Sequence, residues 1–240
     1  MKTLRSLFYW SLAGGYFFSL LVRIWVRSYF NSIKDLDPWI KKRLFRLFRI
    51  IQVDLVIEFE EELPPGESFI FMANHSSLID VPLLQAGIPR HFIGILAKHQ
   101  FKFFLYGAVV NRLGHLAIDR SSPRRSLKQF QNAQAILSQG TSIVVLPEGG
   151  RSLDGHLLPF KKLPFRFARD SQTAIVPVSI SGVFAMKPKG TWHLTPGQLV
   201  MRFGSIITRP EIESLDVEQL RERVYKDIYR SLERFEKGEQ

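Results

Sequence analysis

Cysteine is absent from the 240 residues, which excludes disulfides, thiolate metal sites and a cysteine nucleophile. Acidic side chains are in deficit: 22 Asp and Glu stand against 33 Lys and Arg, leaving a formal charge of +11. Most of the surplus lies in residues 1–50, where ten Lys and Arg meet only Asp35 and Asp37. Such a block suits nucleic acid or an anionic membrane surface. The chain has no internal repeat, low-complexity tract or Walker-type phosphate loop, and its six spaced His residues make no metal-ligand set. What it has is apolar mass, 45% of residues including 20 Phe. That is too apolar for disorder and enough for one globular domain with an appendage.

Apolar sequence beside the basic block decides between the two partners. Leu7 to Val22 is almost unbroken apolar sequence, flanked by Arg5 and by Arg23 and Arg27. Sixteen helical residues reach ~24 Å, short of the ~30 Å hydrocarbon core unless Arg23 snorkels and the helix continues. The pattern ranks a membrane-embedded anchor first, a full span second and a cleaved signal peptide third, because no small-x-small site follows. Asp37-Pro38 then reads as the start of a second helix, Asp37 capping and Pro38 in the first turn. Its apolar residues and its Lys41, Lys42, Arg43, Arg46 and Arg49 at helical spacing describe a helix in a headgroup layer. A nucleic-acid arm has no need of the apolar run. The expected division is a helix-pair anchor over 1–52 and an α/β domain over 53–240.

Strand and helix patterns alternate along that domain, so the expected fold is α/β, a central mixed sheet flanked by helices. Leu55 to Phe59 reads as its first strand. Phe69 to Ala73 is a buried strand running into the polar turn Asn74-His75-Ser76-Ser77, and a helix starts near Asp80. His75 would stand at a strand's end, and Asp80 can fold back onto one ring nitrogen, leaving the other free as a base. Alone, such a pair reads as well as a turn residue and a helix cap.

Three further segments follow. Gly114 to Arg120 is a glycine, an apolar strand and a terminal Asp119-Arg120, with His115 read as structural. The strand Ser142 to Leu146 runs into Pro147-Glu148-Gly149-Gly150-Arg151-Ser152, where small residues let backbone amides approach an anion. Ala174 to Ile180 is an apolar strand in which Pro177 suggests an edge or bulge. Closing strands are expected over 198–203 and 205–208, then an amphipathic helix over 215–235.

In this order the His75–Asp80 element and the three segments resemble the motifs of the glycerolipid acyltransferases, the 1-acyl-glycerol-3-phosphate acyltransferase family. The resemblance covers about residues 70–180. It departs at Gly150, where the family has Thr, at Leu163 after Phe160-Lys161-Lys162, where it has Gly, and at His99-Gln100, where an acidic residue usually follows Lys98.

The resemblance implies acyl transfer from a thioester, acyl-CoA or acyl-acyl carrier protein, to a lysophospholipid, with no cofactor beyond that donor. His75 is implied as base and Asp80 as its orienting partner. Arg120 and Arg151, with Lys98, are implied as contacts to the acceptor phosphate; Gly149 supplies close backbone approach. Glu148 is implied to accept from acceptor hydroxyls or to hold Arg151. The favoured acceptor is 1-acyl-sn-glycerol 3-phosphate, giving phosphatidic acid. Another lysolipid or an amine acceptor, and a catalytically silent membrane binder, are the alternatives. The implied location is a membrane, at the cytoplasmic face of the inner membrane, without nucleic acid.

Overall fold

The computed structural model describes residues 2–119 and 122–237. Seven strands make one sheet: β1 (Asp54–Phe59), β2 (Ile70–Ala73), β3 (Phe92–Ala97), β4 (Leu116–Ile118), β5 (Ser142–Val145), β6 (Ile175–Ser181) and β7 (Gln198–Phe203). Their spatial order is β1-β7-β6-β2-β5-β3-β4. Neighbours are parallel except β6 and β7, so the sheet is mixed, as the alternation predicts. Strands β2, β5 and β6 are buried along their whole length, which is why they read as continuous apolar runs.

One face of the sheet carries α1 (Lys2–Arg27), α2 (Ile33–Ile50), α3 (Asp80–Gly87) and α4 (Tyr106–Arg112). The other carries α5 (Pro123–Ser138), α6 (Leu163–Ser171), a short α7 (Val183–Met186) aside, and, after α8 (Arg209–Ser214), α9 (Val217–Ser231). From β2 the chain passes through α3 to β3, on one side; from β5 it passes through α6 to β6, on the other. The connections therefore diverge between the carboxyl ends of β2 and β5, and such a switch point leaves a crevice where α/β proteins bind ligands.

Several expectations are corrected. Helix α1 runs 26 residues, past Arg23. The Arg23 guanidinium bonds the Ser19 carbonyl at 3.1 Å and stacks near the Tyr16 and Trp39 rings, so the charge is accommodated without ending the helix. Helix α2 begins at Ile33, capped by the Ser32 hydroxyl on the Asp35 N–H at 3.2 Å. Asp37 instead pairs with Lys41 and accepts from Gln85 of α3 at 2.9 Å. The apolar side of α2, including Leu36, Ile40, Leu44, Leu47 and Phe48, is buried against the domain, and Lys42, Arg46 and Arg49 point outward.

Pro177 lies in an interior strand. The ladder to β7 covers Val178 to Ser181, and a separate bridge joins Ile175 to Ile207. The residue without an N–H falls in the gap between them, where no donor is required. Residues 205–208 contribute that single bridge in place of a strand. The helix expected over 215–235 is divided: α9 starts at an Asp216 capping box and ends at Ser231, and a short α10 (Arg234–Lys237) follows.

Candidate active site

The site is assembled by the loops after β2 and β5 at the carboxyl edge of the sheet. Asn74 extends the β2–β6 pairing with its side chain: its Nδ2 donates to the Ile180 carbonyl at 2.9 Å, and the Ile180 N–H donates to its Oδ1 at 2.7 Å. The next residue, His75, is thereby fixed at the crevice. Asp80, the first residue of α3, turns Oδ2 back onto that turn. This one oxygen accepts from the Ser76 and Ser77 N–H groups at 2.8 Å each and lies 2.7 Å from His75 Nδ1. Asp80 is fully buried and its Oδ1 has no partner among the described residues. The Ser76 and Ser77 N–H groups and His75 Nδ1 all converge on the other oxygen, an arrangement that suits a ring proton on Nδ1 and a lone pair on Nε2.

The loop after β5 holds the main chain of His75 from both sides. Glu148 Oε1 accepts the His75 N–H at 2.5 Å, and the Ser152 N–H donates to the His75 carbonyl at 3.0 Å. Glu148 Oε2 accepts the Leu158 N–H at 3.0 Å. Glu148 is buried, both of its oxygens serve main-chain donors, and it forms no ion pair with Arg151 among the described residues. Burial pushes its carboxyl up to about 8, outweighing the two N–H bonds that favour the charge. Gly149 has φ +70, a left-handed conformation suited to glycine, and a Cβ there would touch the Lys161 stem at 3.4 Å.

The other expected residues are placed as follows. Arg151 lines a cavity together with His75 and Gly150. Lys98 is 3.6 Å from Asp119, which also meets Arg125 at 2.9 Å, so its ammonium is engaged by a carboxylate. Arg120 lies outside the described residues. His115 is half-buried and accepts the Gly94 N–H at 2.9 Å through Nδ1; desolvation lowers its pKa to about 4, in keeping with a structural group.

Two cavities meet at His75, sharing Val81, Ala97 and Gln100 in their walls. The larger, about 550 Å³, lies on the α1–α2 face and is walled by apolar residues such as Trp10, Phe17, Leu47, Phe103 and Tyr106. The smaller, about 240 Å³, lies beneath α5 and α6, with Ser126, Phe130 and Lys161 in its lining. Sequence reasoning assigned α1 and α2 to anchoring and so missed that they wall the larger cavity. It also missed Lys187 and Lys189, which stand between recognised segments; Lys189 reaches the same cavity. Among the Phe101–Val110 run, Phe103 faces the cavity and Phe104 is 91% exposed.

The family model described as Acyltransferase matches residues 54–181, and the chain belongs to that family. The 1-acyl-sn-glycerol-3-phosphate acyltransferase of Cocos nucifera is 29% identical over 157 residues, 65% of this chain and 51% of that protein. The chloroplastic 1-acyl-sn-glycerol-3-phosphate acyltransferase LPAT1 of Arabidopsis thaliana is 28% identical over 202 residues, 78% of this chain and 54% of that protein. The chain thus spans about half the length of these curated relatives. The crystal structure of the 1-acyl-sn-glycerophosphate acyltransferase PlsC from Thermotoga maritima matches with TM-score 0.81 and 27% identity, over 95% of this chain and 93% of that one.

Proposed function

We propose that this protein transfers a fatty acyl group from a thioester to the sn-2 hydroxyl of 1-acyl-sn-glycerol 3-phosphate, giving phosphatidic acid. The observation that carries this reading is the His75 Nδ1–Asp80 Oδ2 contact of 2.7 Å beside an apolar cavity of about 550 Å³. His75 Nε2 takes the proton of the acceptor hydroxyl as that oxygen attacks the thioester carbonyl. Asp80 holds the tautomer and balances the imidazolium. The tetrahedral intermediate expels the thiolate, which recovers the proton from His75, so the ester C–O bond forms as the C–S bond breaks. No protein nucleophile takes part and no acyl-enzyme forms. A base so placed contributes roughly 10²–10⁴-fold in rate. The larger cavity takes an acyl chain, and the donor is a thioester of coenzyme A or of an acyl carrier protein. The activities for which the relatives are named support the acceptor chosen.

The test is turnover by purified protein in detergent or liposomes, offering labelled acyl thioester to lysophosphatidic acid and to lysolipids with other headgroups, beside His75→Ala. Phosphatidic acid from wild type, with at least a hundredfold loss in the variant, is expected. Product from a different acceptor reassigns the substrate, a result to which Gly150 at the third segment is relevant. No product from any acceptor with either donor overturns the reading.

A further inference from the structure

Arg151 and Lys189 line the larger cavity, with Lys187 buried close to Arg151, and none of the three has an ion pair with a carboxylate among the described residues. Lys187 is buried, and its ammonium donates to the Pro188 carbonyl at 3.1 Å and to the Thr191 carbonyl. Burial and the nearby Arg151 charge hold it below the usual lysine value. Lys189 is half-buried and uses one N–H on the Arg151 carbonyl at 2.9 Å, leaving two of its three donors. Three like charges gathered without a counter-charge repel one another, and at a cavity mouth they concentrate positive potential on whatever enters.

The segment that carries the two lysines is fixed relative to the base. The Ser77 hydroxyl donates to the Lys187 carbonyl at 2.8 Å, tying the segment to the His75 turn. Helix α1 holds its far side, with Trp10 Nε1 donating to the Trp192 carbonyl at 2.6 Å and the Leu194 N–H donating to Ser6 Oγ at 3.2 Å. The cations therefore keep a set distance from the reacting centre.

We propose that Lys189 extends the cation of Arg151, the phosphate contact that the resemblance already implies, into a phosphate-binding rim on the larger cavity, with buried Lys187 as the post that shapes the 187–192 segment. The rim rests on the acyl-transfer reading of the site. Its ligand is a phosphate group of the substrate that enters this cavity, either the phosphomonoester of the acceptor or the phosphates of the thioester donor. A guanidinium fork and a lysine point charge together suit either.

The test compares wild type with Lys189→Met, which keeps the apolar stem and removes the charge. The Michaelis constants for lysophosphatidic acid and for acyl-CoA are measured separately, and binding of short-chain lysophosphatidic acid and of coenzyme A is titrated by calorimetry. We expect one of the two ligands to lose about tenfold in both KM and affinity, with kcat within about threefold of wild type. Loss confined to lysophosphatidic acid assigns the rim to the acceptor; loss confined to the coenzyme assigns it to the donor. Unchanged KM and affinity for both ligands, a fall in kcat alone, or no binding of either ligand by wild type overturns the rim. Wild-type binding without turnover would sink the catalytic reading and leave the titration to decide the rim.

Discussion

Asp80 meets three donors with one oxygen while its other oxygen, equally buried, meets none. Such a group is sensitive to the loss of its charge. In Asp80→Asn the amide oxygen can keep the Ser76 and Ser77 N–H bonds, so the turn survives. The amide nitrogen then occupies a buried position without an acceptor, and the imidazolium loses its counter-charge. We expect kcat to fall about 10²–10⁴-fold at little change in KM, measured by steady-state turnover alongside melting temperature. Near wild-type kcat in a folded variant would remove Asp80 from the mechanism. This pair was legible in the sequence because it is local: an apolar run ending in a polar turn, and a carboxylate one helical start later. Lys98 was not, because its partner Asp119 follows a strand joined to β3 only by sheet pairing. Lys187 and Lys189 were missed for a related reason. Their meaning comes from α1, the His75 turn and Arg151, all distant in the chain.

At the scale of elements, the loops after β2 and β5 act as one unit, since Glu148 and Ser152 bond the two main-chain groups of His75. Glu148→Gln tests that unit. Glutamine offers one oxygen to two main-chain donors, so either the His75 or the Leu158 N–H is left against an amide nitrogen, at about 1–3 kcal/mol. The pH dependence has a definite sign. The Glu148 carboxyl titrates near 8 in the fold against an ordinary value of 4.5. Between those values the folded protein holds a proton that the unfolded chain has released, so this group's contribution to stability is full below 4.5 and is lost as pH rises through about 8. Glutamine does not titrate. The stability gap between wild type and Glu148→Gln should therefore be widest near pH 5 and shrink by pH 8.5, as read by thermal melts across that range. A gap that is constant with pH would mean that Glu148 is already ionised in the fold. The strands and their terminal loops were readable because buried parallel strands are uninterrupted apolar runs. The use of Glu148 was not, since the Leu158 N–H is placed by the return of the chain after Gly155, which no spacing encodes.

For the whole molecule, the decisive element is α1, because its two sides do different things. Tyr9, Leu20, Leu21 and Ile24 are buried in the domain, and Trp10 and Phe17 wall the larger cavity. Leu4, Leu7, Phe8, Phe18, Trp25 and Val26 are exposed, an apolar side too extended to be explained by single surface residues. These sides could not be told apart from residue order, because the run from Leu7 to Val22 is apolar along its length and only packing against α2 and α4 divides it. Helix α1 thus joins an exposed apolar side to the wall of the cavity that holds His75. If α1 seats the protein in this way, Phe8→Ser with Phe18→Ser should weaken sedimentation with anionic liposomes by more than tenfold, since burying each Phe is worth about 1.5–3 kcal/mol. Because both side chains point away from the domain, the melting temperature in detergent and turnover of short-chain, water-soluble substrates should stay near wild type. Undiminished liposome binding would move the seat to another surface, and loss of short-chain turnover would show that the exposed side of α1 also supports the cavity.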